Sequence, residues 1–216
     1  MSSTALPLDK HYSNLDVKIL EKSEGYSGFF QLNRYRLQHK LFNGQWSEPI
    51  VRELFERGHA VAVLPYDPVR DEIVLIEQFR LGALESSPTP WLIELVAGMI
   101  ETEESAEHVM RREASEEAGI TLGRCEFAMS YLVSPGGTTE RIEVYIGEVD
   151  TTHAGGTHGL IEEGEDIRVH VVSRHQAMAW LKEGRIDNAS SVIALQWLAL
   201  HYLELQQRWL ASNLSP

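Results

Sequence analysis

The stretch GMIETEESAEHVMRREASEEAGI, Gly98–Ile120, constrains the chain most, because it has helical spacing but carries glutamates where a core face should be. If residues 105–118 are helical at about 100° per residue, the apolar side chains share one face. Glu113 and Glu117 fall in the middle of that face, one turn apart. Two glutamates at this spacing repel each other, and a glutamate is almost never fully buried without a partner. The segment therefore predicts a helix whose inward face requires a positive group.

A divalent cation would satisfy this inward face. Mg²⁺ takes oxygen ligands, commonly one or two carboxylates together with the phosphates of a substrate. The alternative is a charged helix face that is turned to water, which is the usual explanation of a run of charges. Helical geometry alone leaves both interpretations open.

Composition narrows the class of protein. The chain has 216 residues, of which 43% are hydrophobic and 24% charged, as in soluble globular proteins. The net charge of −13 argues against a nucleic-acid binder, which would show a basic face. Cys125 is the single cysteine, so no internal disulfide can form and we expect a reducing, cytoplasmic location. No signal peptide and no apolar stretch of about 18 residues is present, so we expect no contact with a membrane.

The order of predicted elements is α+β, with strands through the middle of the chain and helices at its end. Residues 1–57 form a β-rich segment with a hairpin turn at Asn43-Gly44. A segment of this size is marginally stable alone, so we expect it to pack on the rest of the chain or on a second subunit. Residues 58–210 form the main domain, and 211–216 form a tail.

Within the main domain, two apolar strands flank a turn at Asp67-Pro68. Residues 91–98, WLIELVAG, are predicted to form one strand. A short helix begins after Ser173 and a longer amphipathic helix after Asn188, both suitable N-caps. His153 and His158 are interpreted as polar loop residues, and Cys125 as a small buried residue.

The spacing of Gly98–Ile120 resembles the Nudix box, with all nine constrained positions filled. This resemblance implies an α/β/α sandwich in which the box is a loop–helix–loop that binds metal for hydrolysis of a diphosphate. It implies Mg²⁺, with Mn²⁺ as an alternative, at two or three ions per site. The implied metal ligands are the Ala97 carbonyl, Glu113, Glu117 and Glu165.

The resemblance also implies catalytic roles. Glu116 acts at or near the metals, and Arg112 braces the motif together with Glu104. The acidic loop GLIEEGED contains three candidates for the general base, Glu162, Glu163 and Glu165, and the sequence of the loop alone does not distinguish among them. The resemblance assigns the base to Glu163.

Outside the box, the chain resembles the ADP-ribose pyrophosphatase subgroup of this family from about residue 27 to 209. The signal includes SPGGTTE, in which Pro135 lies fifteen residues after Ile120. The resemblance implies hydrolysis of ADP-ribose to AMP and ribose 5-phosphate, with other ADP-sugars left open. It implies a homodimer in which the N-terminal segment is exchanged between subunits. The implied substrate contacts are Phe29, Phe30, Arg52, Glu53, Arg57, Arg80, Met99, Ser134, Pro135, Gly136 and Glu140.

Two other functions stay open. One is hydrolysis of another nucleoside diphosphate sugar such as GDP-mannose. The other is a Nudix regulator that binds ADP-ribose without cutting it. Such regulators usually lose box glutamates or carry a DNA-binding extension, whereas this chain keeps Glu113, Glu116 and Glu117 and has no basic recognition helix.

Overall fold

A computed structural model of the protein describes residues 12–211. The predicted tail, 211–216, lies outside this part of the chain except for its first residue. The described residues divide into two compact units: 12–57 with Ser134–Thr139, and 58–133 with 140–211.

The first unit is a three-stranded antiparallel sheet. Its strands are β1 (Val17–Ser27), β2 (Gln31–His39) and β3 (Ile50–Glu56), in that spatial order. The predicted hairpin of β2 and β3 is present, and Gly44 in its turn has a φ of 82° that suits glycine. The turn itself differs from the prediction, because Gly44 N donates to Leu41 O at 2.8 Å, which places Phe42-Asn43 rather than Asn43-Gly44 at its centre. Every residue of β1 is exposed in this chain. The segment Ser134–Thr139 joins the unit where Phe55 N donates to Gly137 O at 2.8 Å.

The second unit is built on one mixed sheet covered by helices on both faces. The main path of the sheet runs β10-β11-β5-β4-β9-β8, with β6 paired to β5 and β7 paired to β4. Its strands are β4 (His59–Asp67), β5 (Glu72–Phe79), β6 (Trp91–Glu94), β7 (Val96–Ile100), β8 (Cys125–Leu132), β9 (Arg141–Glu148), β10 (Gly156–His158) and β11 (Ile167–Ser173). Its helices are α1 (Ala106–Ala118), α2 (Arg174–Lys182) and α3 (Ala189–Ala211).

Two apolar cores separate the layers of this unit. Val61 and Val63 of β4 point to the core beneath α1, whereas Ala62 and Leu64 point to the core beneath α2 and α3. Because side chains alternate across a strand, burial on both faces makes β4 apolar at almost every position. The α+β class and the α/β/α sandwich predicted from the sequence are confirmed.

The prediction of one strand over 91–98 was wrong. The segment forms β6 and β7, separated by the buried Leu95. Strands β4 and β5 pair only next to their turn, at Tyr66↔Ile73 and Asp67↔Glu72, and then diverge. The chain fills the gap by pairing first with β5 and then with β4. This crossing is what brings Ala97 beside α1.

The helix starts predicted for α2 and α3 are confirmed. Ser173 Oγ accepts a hydrogen bond from Gln176 N at 3.1 Å, and Asn188 Oδ1 accepts one from Ser191 N at 3.2 Å. These side chains satisfy backbone donors that have no partner inside the helix. None of the helices within residues 12–211 has the length and apolarity needed to cross a membrane.

Candidate active site

The acidic face of α1 lies against β7. Glu117 is 3% exposed, and its Oε2 accepts a hydrogen bond from Ala97 N at 3.0 Å. Its inward orientation, predicted from helical spacing, is confirmed. Glu113 packs against Gly98, where an added Cβ would lie 2.2 Å from Glu113 Oε1. Gly98 is therefore required for the close approach of this carboxylate to the strand.

Arg112 lies between two acids of the box. Its guanidinium contacts Glu113 Oε1 at 3.0 Å and Glu116 Oε2 at 2.8 Å. Arginine presents several donors in a rigid plane, so it can hold two carboxylates at once. Glu104, the expected second brace, lies 3.9 Å from His108 Nε2 and favours the charge of Arg112.

The carboxylates of the site disfavour one another's charge. The pKa of Glu117 is raised to about 8, mainly by burial and also by Glu113 and Glu165, against the opposing effects of the Ala97 hydrogen bond and Arg80. Burial likewise raises the pKa of Glu113 to about 7, with Glu116 and Glu165 acting against Arg112. The protein's own cations therefore do not balance the negative charge gathered here.

This donor set fits a divalent cation. Its side-chain donors are carboxylate oxygens, the ligands that Mg²⁺ prefers. The raised pKa values of Glu113 and Glu117 mark a place where added positive charge lowers the free energy. Within residues 12–211, no three or more His, Cys, Asp or Glu side chains are gathered closely enough to hold a metal. Glu113, Glu117 and Glu165 are instead directed to Arg112, Ala97 N and Leu160 N.

The acidic loop between β10 and β11 lies at the end of α1. Gly159 N donates to Glu116 O at 3.1 Å, and Glu165 Oε2 accepts from Leu160 N at 3.1 Å. Glu163 ends a single 3-10 turn and is exposed. The structure thus brings Glu165 to the box glutamates, whereas Glu163 lies on the outer surface of the same loop.

Arg80 follows β5 and pairs with a residue that the sequence interpretation missed. Its Nε donates to Glu94 Oε2 at 2.7 Å. Burial raises the pKa of Glu94, and this outweighs the opposing effect of Arg80. In the sequence, the only indication that Glu94 is functional is its charge inside the apolar run WLIELV. Because this run was predicted to be one strand, the position of Glu94 at the end of β6 was not recognised.

Met99 and Glu140 flank the beginning of β4. Met99 of β7 pairs with Ala60, and Glu140 directly precedes β9, whose Ile142 pairs with the same Ala60. Glu140 is 5% exposed.

The other predicted substrate contacts lie in the first unit. Phe30 packs edge-to-face with Phe29 at 4.7 Å and with Phe55 at 5.2 Å between ring centroids. Arg57 lies over the Phe30 ring, with its Cζ 5.4 Å from the centroid. These four side chains form one aromatic and cationic cluster.

The remaining contacts of this unit lie on β3 and in the adjoining segment. Arg52 pairs with Tyr35 and Glu53 with Arg34 across the sheet, and Arg52 Nη1 donates to Val51 O at 2.8 Å. The tight turn after β8 contains Ser134, Pro135 and Gly136, and Ser134 O accepts hydrogen bonds from Gly137 N and Thr138 N.

An α/β/α sandwich whose first helix directs two glutamates, the buried Glu117 and the partly buried Glu113, toward the sheet defines a class of hydrolases that act on phosphoric anhydrides. Residues 56–209 match the NUDIX domain, and this chain belongs to the Nudix hydrolase family. The ADP-ribose pyrophosphatase of Escherichia coli (strain K12) is 60% identical over 90% of this chain and 93% of its own length. The GDP-mannose pyrophosphatase of Pectobacterium atrosepticum is 31% identical over 83% of this chain and 92% of its own length. A solved structure described as "Crystal structure of ADP compounds hydrolase" shares the fold, with a TM-score of 0.68 at 21% identity, covering 89% of this chain and 97% of that chain.

Proposed function

We propose that this protein hydrolyses the diphosphate of ADP-ribose to AMP and ribose 5-phosphate, with other ADP-sugars as further substrates. The observation that carries this proposal is the group of neighbouring carboxylates formed by the buried Glu117, the partly buried Glu113 and, in the acidic loop, the partly buried Glu165. The 60% identity to an ADP-ribose pyrophosphatase supports the choice of substrate. The lower identity to a GDP-mannose pyrophosphatase makes hydrolysis of GDP-mannose the second candidate.

Mg²⁺ is the proposed cofactor, with Mn²⁺ as an alternative, at two or three ions per site. The proposed ligands are Glu113, Glu117, Glu165 and the carbonyl of Ala97. When bound, these ions would supply Lewis-acid stabilisation of the phosphoryl oxygens. Arg112 holds Glu113 and Glu116 in place for this role, since it contacts both carboxylates.

Glu163 is the proposed general base. Water attacks one phosphorus, the anhydride P–O bond breaks, and the proton of the water passes to the Glu163 carboxylate. A base must come within hydrogen-bond reach of the water, so the loop that carries Glu163 has to move inward when substrate binds. The exposed 3-10 turn at the tip of this loop makes such a movement feasible.

The proposed substrate contacts include aromatic side chains for the adenine and arginines for the phosphates. Aromatic rings at Phe29 and Phe30 suit stacking on adenine, and the guanidinium groups of Arg52, Arg57 and Arg80 suit phosphate oxygens. Glu53, Met99, Ser134, Pro135, Gly136 and Glu140 complete the proposed set.

We also propose a homodimer in a reducing, cytoplasmic setting. Strand β1 is exposed along its whole length and presents Ile19 (54% exposed) and Tyr26 (64% exposed) in this chain. An exposed edge strand with apolar side chains is a template for pairing with another chain.

The experiment is a turnover panel with a matched control. Purified protein receives ADP-ribose, ADP-glucose or GDP-mannose, with Mg²⁺ or with EDTA, and the products are identified by anion-exchange chromatography. We expect AMP and ribose 5-phosphate from ADP-ribose, no turnover in EDTA, and a lower kcat/KM for GDP-mannose. A higher kcat/KM for GDP-mannose would select the second candidate. Tight binding of ADP-ribose without AMP release would make the protein a regulator.

A further inference from the structure

The acidic loop is the tip of a hairpin that closes at a histidine. Strands β10 and β11 pair antiparallel, and their last pair before the loop is His158↔Ile167. The loop 159–166 between them carries Glu163 and Glu165. Ile167 is fully buried in the core beneath α1, and partners directly opposite in a sheet share a face. The His158 side chain therefore points to α1.

The ring of His158 occupies the space beside Gly119, the penultimate residue of the box. A Cβ added to Gly119 would lie 2.3 Å from His158 Cε1 and 2.9 Å from its Nδ1. Gly119 also ends α1 with a φ of 62°, a conformation that glycine adopts without strain. Glycine is thus required at this position for two reasons: it adopts the left-handed backbone conformation without strain, and it leaves space for the His158 ring.

The orientation of this ring is fixed by hydrogen bonding. His158 Nε2 lies 2.9 Å from Gly155 O, and a carbonyl oxygen can only accept, so Nε2 carries the proton. The next residue, Gly159, donates its N–H to Glu116 O at 3.1 Å. That carbonyl belongs to the last turn of α1, where carbonyls lack partners within the helix. The hairpin is thereby attached to α1 at two adjacent positions.

The geometry of the loop continues from this attachment. Leu160 N donates to Glu165 Oε2, and Glu165 N donates to Leu160 O, both at 3.1 Å. Gly159 has a φ of 102°, and a Cβ on it would lie 2.8 Å from Glu165 Cβ. The position of Glu165 therefore follows from residues 159–160, which directly follow His158.

We propose that His158 is a positioning residue for the hydrolytic reaction. Its ring, packed on Gly119 and oriented by Gly155 O, sets the position of Glu163 and Glu165 relative to Glu113 and Glu117 of α1. This inference rests on the proposed function, because it assigns a purpose to the loop only if the loop takes part in hydrolysis.

Kinetics test the proposal. We expect His158→Ala to lower kcat for ADP-ribose by about 10- to 100-fold, as loss of an outer-shell contact does, with KM changed by less than about 3-fold. His158→Gln keeps a donor for Gly155 O and should have a kcat between wild type and His158→Ala. The control is His153→Ala. His153 is an exposed histidine in the connection between β9 and β10, and the kcat of this variant should match that of wild type. Wild-type kcat in both His158 variants overturns the proposal.

A double-mutant cycle distinguishes loss of the contact between the His158 ring and Gly119 from unrelated effects of each substitution on kcat. Gly119→Ala should lower kcat because the new Cβ displaces the ring. In the His158→Ala background the same change should lower kcat by a smaller factor than in wild type, because no ring remains to displace and only the backbone strain at Gly119 is left. Independent, multiplying effects overturn the proposal. Gly184→Ala is the matched control, since Gly184 has a similar φ of 73° and open space at Cβ.

Amide hydrogen exchange tests the proposal without a measurement of enzymatic activity. In metal-free protein, we expect the peptide spanning residues 156–167 to exchange faster in His158→Ala than in wild type, while peptides of β4 do not change. Unchanged exchange at 156–167 overturns the proposal. If wild type hydrolyses none of the ADP-sugars, the proposed function fails, and the exchange result still decides whether His158 holds the loop.

Discussion

Glu117 and Ala97 are joined by a hydrogen bond of 3.0 Å, in which the backbone N–H of β7 donates to the carboxylate of α1. The bond orients a side chain that is 3% exposed and ties the last turn of the helix to the strand. An amide oxygen could accept the same hydrogen bond, so glutamine at this position retains the structural contact and loses only the charge.

Glu117→Gln and Glu113→Gln should each lower kcat by about 100-fold or more, since loss of either proposed metal ligand would remove several kcal/mol of transition-state stabilisation. Steady-state hydrolysis of ADP-ribose at saturating Mg²⁺ checks this, with circular dichroism to show that the fold persists.

Glu107→Gln is the control for these two variants. Glu107 lies on the same helix and pairs with Arg111 at 3.0 Å, but its side chain is 65% exposed. Its kcat should match wild type within about 2-fold, because exposed ion pairs contribute little. Normal turnover in both the Glu113 and Glu117 variants would show that these residues are not metal ligands.

Metal-free protein should lose stability as the pH rises. Burial raises the pKa of Glu117 to about 8 from a usual value of 4.5. Its contribution to stability is therefore fully present below pH 4.5 and is lost as the pH rises through about 8. In EDTA, wild type should lose stability relative to Glu117→Gln over this window, by on the order of a few kcal/mol.

Added Mg²⁺ should reverse this loss, because metal binds the deprotonated carboxylates. Urea unfolding of both proteins between about pH 5 and pH 9, with EDTA or with Mg²⁺, measures the effect. Parallel stability curves for wild type and Glu117→Gln in EDTA would contradict the expectation.

Gly98→Ala should disable the site through sterics alone. The added Cβ would lie 2.2 Å from Glu113 Oε1 and 2.5 Å from its Cγ, so this carboxylate must move. We expect kcat to fall by about 10- to 100-fold and the Mg²⁺ concentration for half-maximal activity to rise. Gly82→Ala is the matched control, because a Cβ there meets no atom within 4 Å. Equal activities of the two alanine variants would refute the steric role of Gly98.

The features that the sequence predicted well depend on local chemistry. The box helix, its inward Glu117, and the caps at Ser173 and Asn188 follow from periodicity and from short-range hydrogen bonding within a few residues. The first α-helix and its acids could therefore be placed before any fold was known.

The features that the sequence did not predict depend on contacts between distant segments. The crossing at Leu95 arises because β4 and β5 diverge, which no pattern within 91–98 records. The pairing of Glu94 with Arg80 follows from that crossing. His158 was interpreted as a polar loop residue, because its contact with Gly119 lies 39 residues away in the chain and leaves no local signal.

Asp71→Asn should destabilise the fold at neutral pH without touching the site. Arg174 is 8% exposed and binds both carboxylate oxygens of Asp71, with Nε–Oδ1 and Nη2–Oδ2 distances of 2.8 Å. Asp71 has a φ of 54°, which asparagine also tolerates, so the substitution keeps the backbone conformation and removes the charge together with one of the two acceptor oxygens. Removing one partner of a buried ion pair costs about 3–5 kcal/mol; we expect a smaller loss here, because the Asp71 side chain is 30% exposed.

This difference between wild type and Asp71→Asn should shrink in acid. Burial alone would raise the pKa of Asp71, but the hydrogen bonds from Arg174 and Tyr66 outweigh it and lower the pKa below 3.8. The stabilisation is therefore fully present above pH 3.8 and is lost as the pH falls through the lowered pKa. Urea unfolding at about pH 7 and about pH 3 measures it. Glu126→Gln is the control, because Arg208 Nη2 contacts both Glu126 oxygens in an exposed pair that contributes about 1 kcal/mol or less. A loss no larger than that of the control would show that the buried pair does not stabilise the fold.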